Sequence, residues 1–75
     1  MKELLELLKD IRSDVDFEAE ENLIDDGIID SFDIVSIIGE VSERFGVEIS
    51  VDDILPENFN SAEKIYELVK RLEEE

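Results

Sequence analysis

Apolar residues recur with helical spacing in three separate stretches of the chain. Between residues 2 and 13, Leu4, Leu8 and Ile11, followed by Val15, stand at steps of 4, 3 and 4, with Leu5 and Leu7 widening the stripe. Lys9, Asp10 and Arg12 fall on the opposite side, so this stretch predicts an amphipathic helix. A second helix is predicted over 31–45, where Ile34, Ile37, Ile38, Val41 and Phe45 are spaced by 3, 1, 3 and 4. Asp30 is placed to cap its free N–H groups, Asp33 puts a second carboxylate at the positive end of the dipole, and Gly46 marks the stop. Gly39 lies inside this helix at a cost of about 1 kcal/mol relative to alanine. The third helix is predicted to begin after Asn60 or Ser61, either of which suits a cap. Its buried stripe is Ala62, Ile65, Tyr66, Val69 and Leu72, and Lys70 and Arg71 complement its C-terminal end.

The stretches between these helices carry their own signals. From 14 to 30 the periodicity fails, Asp14-Val15-Asp16-Phe17 and Asp25-Asp26-Gly27 are turn-prone, and acids crowd between them. A connection of this length in so short a chain points to function, and Phe17, Leu23, Ile24, Ile28 and Ile29 are the residues expected to pin it to the core. Val47-Glu48-Ile49-Ser50-Val51 alternates like a strand, but a lone strand has no partner for its backbone groups, so an extended connection is expected. Asp52 to Leu55 is read as a single helical turn ended by Pro56. The expected architecture is all-α: one domain over residues 1–75, a small bundle of three main helices plus one short helix before the last.

Charge narrows the functional classes. The 75 residues include 23 Asp and Glu against 7 Lys and Arg, a net charge of −16. Such a chain does not neutralise phosphates, which excludes nucleic acid as a partner, and it is repelled by an anionic membrane surface. With 43% apolar residues it is nevertheless expected to fold. Residues 14–60 hold fifteen acids and one base, Arg44, so nearly all the excess charge lies in the middle of the chain, where attraction to basic partners is expected. There is no Cys and no His, which excludes disulfides, thiol nucleophiles, imidazole acid–base chemistry and the usual zinc sites. No leader and no apolar run of spanning length is apparent, so a soluble, cytoplasmic, monomeric domain is expected.

Catalysis finds little support. Asp25 and Asp26 are paired carboxylates, but neighbours in sequence diverge in direction and no nucleophile accompanies them, so no catalytic residue is assigned. A calcium loop beginning at Asp14 has acids at its first three ligand positions, Asp14, Asp16 and Glu18. It then fails, with Ala19 where glycine is needed, Glu21 where an apolar residue is needed and Asp25 in place of the final Glu, so no metal site is assigned. The remaining feature is Asp30-Ser31-Phe32-Asp33. By itself it is a helix start. Ser31, however, stands at a helix N-terminus, where N–H groups and the dipole favour an anion, and at the end of an exposed loop. With no activating base beside it, its hydroxyl is a plausible attachment point for a phosphate ester rather than a nucleophile.

Set in this context, Asp26-Gly27-Ile28-Ile29-Asp30-Ser31-Phe32-Asp33-Ile34-Val35 resembles the Gly-x-x-Asp-Ser-Leu signature of the acyl carrier protein family, with Phe32 in place of the commonest Leu. Glu43-Arg44-Phe45-Gly46-Val47-Glu48-Ile49 is similar to the family's exit from its second helix, and Asn60-Ser61-Ala62-Glu63-Lys64-Ile65 to the start of its last. The resemblance implies a covalent 4′-phosphopantetheine arm on Ser31, transferred from coenzyme A by a phosphopantetheinyl transferase, whose thiol carries acyl groups as thioesters to biosynthetic enzymes. It also implies a recognition helix whose acids meet basic docking surfaces on acyl- or aminoacyl-transferring enzymes. Asp30, Asp33, Glu40 and Glu43 are the acids so placed here, with Phe32 and Val35 as apolar contacts beside Ser31. Ser36 and Ser42 stand where typical fatty-acid carriers have acids, Gly39 where an exposed apolar residue is common, and Arg44 adds a positive charge. The Phe45-Gly46-Val47 exit and the segment from Glu57 to Ser61 look somewhat like D-alanyl and related aminoacyl carriers. Three readings stand: a carrier of fatty or specialised acyl groups, an aminoacyl or secondary-metabolite carrier, and, in a different class, an unmodified acidic interaction module.

Overall fold

The computed structural model describes residues 1–74. Four helices follow one another: α1 (Lys2–Ile11), α2 (Ser31–Phe45), the short α3 (Pro56–Phe59) and α4 (Ala62–Glu73), with a single 3-10 turn at Val51–Asp53. No strand occurs among the described residues. The second helix has the expected bounds, because both of its ends are fixed locally: Asp30 caps the start and Gly46, at φ 66°, takes the left-handed conformation that stops it. The first helix ends two residues early, at Ile11, and Arg12 is already extended.

The apolar faces meet in one core. Leu4, Leu7 and Leu8 from α1, Ile37 and Val41 from α2, Phe59 from α3, and Ala62, Ile65, Leu68 and Val69 from α4 are buried in it. Helix α1 packs against both α2 and α4, while α3 leads directly into α4. Leu68 replaces part of the expected α4 stripe, whose Tyr66 and Leu72 are only half-buried. The long loop is pinned as expected by Phe17, Leu23 and Ile29, which are buried, with Ile24 and Ile28 packed against them. After α2 the chain has no regular structure from Val47, itself buried, to Ser50, which is extended and leads into the 3-10 turn.

One expectation is corrected, and of the two candidate caps of α4 one is used. Pro56 does not end a helical turn; it is the first residue of α3. Proline has no N–H to leave unpaired and a φ already suited to a helix, so the first helical position accepts it readily. The cap of α4 is Ser61, whose Oγ accepts from Lys64 N at 3.1 Å, and not Asn60. Asn60 bonds the long loop instead. Its Oδ1 accepts from Ile24 N at 3.0 Å and Asp25 N at 3.1 Å, its Nδ2 donates to Asp25 Oδ2 at 3.1 Å, and its carbonyl accepts from Leu23 N at 2.8 Å.

Candidate functional site

The long loop ends in a tight winding that aims the start of α2. The Leu23 carbonyl accepts from both Ile28 N, at 2.9 Å, and Ile29 N, at 3.1 Å. Closing that turn requires a positive φ, and Gly27 supplies it at 67°. Buried Ile29 then anchors the last step before the helix. Asp30 and Asp33 cap α2 reciprocally: Asp33 N donates to Asp30 Oδ1 at 3.0 Å, and Asp30 N donates to Asp33 Oδ2 at 3.1 Å. Between them, Ser31 is exposed at the first helical position. Both carboxylates are aimed at backbone N–H groups, which leaves the serine hydroxyl free at the surface. The N–H groups of the first turn have no carbonyl partner within the helix, so an anion esterified to Ser31 would meet donors and the positive end of the dipole. The residues present therefore fit a phosphate ester at this position.

Asp33 occupies a different place from the other acids expected on the recognition face. Its side chain is only 13% exposed, and Oδ2 is shared between Asp30 N and the Arg12 guanidinium. Asp30, Glu40 and Glu43 are exposed. Phe32 is 84% exposed and Val35 68%, both far beyond what a core helix leaves in water. On a helix, residues 32, 35, 36, 39, 40 and 43 share one face. That face therefore carries two apolar side chains beside Ser31 and two acids further along. Ser36 and Gly39, also exposed, separate the apolar end from the acidic end. Arg44 is turned toward α1, with Nη1 3.9 Å from Glu3 Oε2. Among the described residues no polar or charged residue is buried in the core.

One turn beyond Ser31, Ile34 joins Ile24, Ile54, Leu55, Pro56 and Phe59 in lining an apolar cleft of about 200 Å³. This is less than the roughly 300–1,000 Å³ of pockets that bury most of a drug-sized ligand. Two residues that organise the site, Arg12 and Asn60, escape a reading of the sequence. Both act across long separations, Arg12 on a carboxylate 21 residues away and Asn60 on amides 35 and 36 residues away. Local spacing holds no signal for either.

A family model described as a phosphopantetheine attachment site matches residues 2–72. Among curated proteins, the D-alanyl carrier protein of Streptococcus sanguinis is 32% identical over 71 residues, covering 93% of this chain and 90% of the relative. The D-alanyl carrier protein of Streptococcus gordonii matches to the same extent, and that of Lactobacillus acidophilus is 29% identical over 73 residues, covering 96% and 92%. No solved structure matches the chain significantly.

Proposed function

Because the chain belongs to the family of carrier proteins that bear covalent 4′-phosphopantetheine, we propose that Ser31 is the attachment point and that the cargo is a small aminoacyl group of the D-alanyl kind. When bound, the arm supplies the thiol that this Cys-free chain lacks. The observation that carries the cargo assignment is the similarity, over nearly the whole of both chains, to relatives named D-alanyl carrier protein.

The chain's own residues present the arm. The Asp30–Asp33 box fixes the helix start, so the Ser31 hydroxyl leaves the surface in one direction. Phe32 and Val35 offer an apolar contact beside the serine, and Asp30, Glu40 and Glu43 attract basic docking surfaces. These are the features needed by a phosphopantetheinyl transferase and then by the ligase and transferase that load and unload the arm. As a member of a carrier family, the chain is read as carrying the cargo while its partners supply the catalysis.

The arm-bearing chain should accept D-alanine when incubated with ATP and a D-alanine-activating ligase, read as an alanyl increment in intact mass. Loading by a long-chain acyl synthetase with no alanyl increment would overturn the cargo assignment and leave Ser31 standing.

A further inference from the structure

Arg12 sits just past α1, and its extended backbone turns the side chain toward the other end of the long loop. Nε and Nη2 hold the two oxygens of Asp14 at 2.9 Å each, a bidentate grip that fixes the guanidinium plane. Nη1 reaches Asp33 Oδ2 and lies 3.5 Å from the Ile28 carbonyl. Oδ2 is the same Asp33 atom that accepts the Asp30 N–H. One cation thus touches the chain three residues before Ser31 and two residues after it, and through a single shared oxygen it is linked to the N–H of Asp30, the residue before the serine.

From this geometry we infer that Arg12 is a positioning residue for the modification of Ser31, an inference that rests on the attachment reading above. In that step the serine oxygen forms a bond to the β-phosphorus of coenzyme A. The diphosphate P–O bond breaks, adenosine 3′,5′-bisphosphate leaves, and the serine proton passes to a base on the transferase. The chain's contribution is the direction and steadiness of Oγ, and small displacements of a reacting atom are costly. Without Arg12, the Asp33 carboxylate would be held to the capping box only by the Asp30 N–H, a single bond about which it can rotate. With Arg12 on Oδ2 and Asp14 on the far side of the guanidinium, that rotation is stopped from outside the helix. Lysine cannot substitute, because a single ammonium lacks the planar fork that grips Asp14 and reaches Asp33 together.

The same geometry separates positioning from mere folding. Loss of Arg12 makes the site one charge more negative, which favours a basic transferase, so KM for the carrier should hold or fall while kcat drops. Partial unfolding does the reverse: it dilutes the competent carrier and raises apparent KM, with kcat intact. The experiment is the kinetics of transfer from coenzyme A onto wild-type, Arg12→Gln, Arg12→Lys, Asp33→Asn and Arg12→Gln/Asp33→Asn chains, with folding checked by circular dichroism. We expect kcat to fall about tenfold in both Arg12 variants without a rise in KM. The double variant should be no slower than Asp33→Asn alone, because Arg12 acts through Asp33. Wild-type kcat in Arg12→Gln, a change confined to KM, full rescue by lysine, or multiplying effects in the double variant would each overturn the positioning role. Failure of the wild-type chain to gain the arm would instead remove the Ser31 reading and this inference with it.

Discussion

Asp14 is held ionised far into acid. The hydrogen bonds from Arg12, with a further one from its own backbone, bring its carboxyl down from the ordinary 3.8 to about 2, and the charge attraction of the guanidinium adds to them. The guanidinium in turn is pushed upward, chiefly by its bonds to Asp14 and then to Asp33, so it stays charged at every pH the fold survives. A carboxyl whose value is lowered by folding favours the folded state while it is ionised. Its contribution is complete above about pH 4 and is lost as pH falls through about 2. In Arg12→Gln, carboxyl-carbon NMR should find Asp14 titrating back toward 3.8; a midpoint still near 2 would contradict the bidentate grip. Asp33 shows why residue type alone misleads. In sequence it is one more acid on a recognition helix, whereas in the fold its carboxylate is turned inward and shared. The contrast with Phe32 is instructive, since its position outside the apolar stripe of α2 is readable from spacing alone and is matched by its exposure.

At the scale of elements, the three main helices are legible because each is defined by an apolar stripe, and α2 and α4 also by end signals a few residues away. Helix α2 is the clearest case, with Asp30 at one end and Gly46 at the other. Where the sequence misleads, the deciding contact is distant or the local signal is two-sided. Proline both ends and begins helices, and Pro56 begins one. Asn60 is a good cap by type, but Ser61 takes that role, and the amide of Asn60 closes the long loop against the start of α4. This makes Asn60 the buckle that holds the turn leading to Ser31. Asn60→Ala should cost about 1–3 kcal/mol in a denaturant melt, since it removes three hydrogen bonds and leaves two backbone donors unpaired. Amide exchange should quicken at Ile24 and Asp25 and less at Leu23, whose partner is the backbone carbonyl of residue 60. Equal acceleration at all three would mean that the whole loop opens as one unit.

Seen whole, the chain divides its work between an apolar interior and a charged exterior. The core draws on every helix and on the long loop, with no polar or charged residue buried among those described. Of the charged residues described, none is fully buried, so the acidic excess of a −16 chain lies at or near the surface. The segment from 14 to 60, with fifteen acids and one base, includes the loop, Ser31 and α2, so the negative charge is concentrated around the proposed attachment point. Arg12 and Arg44 temper it by pairing within the fold, with Asp14 and Asp33 for the one and Glu3 for the other. No helix among the described residues is long and apolar enough to cross a membrane. The proposed attachment is one chemical event at one oxygen, which intact mass reads directly. Incubated with coenzyme A and a broad-specificity phosphopantetheinyl transferase, the wild-type chain should gain the mass of one phosphopantetheine and Ser31→Ala none. An unmodified wild-type chain, or an arm that persists in Ser31→Ala, would contradict the account.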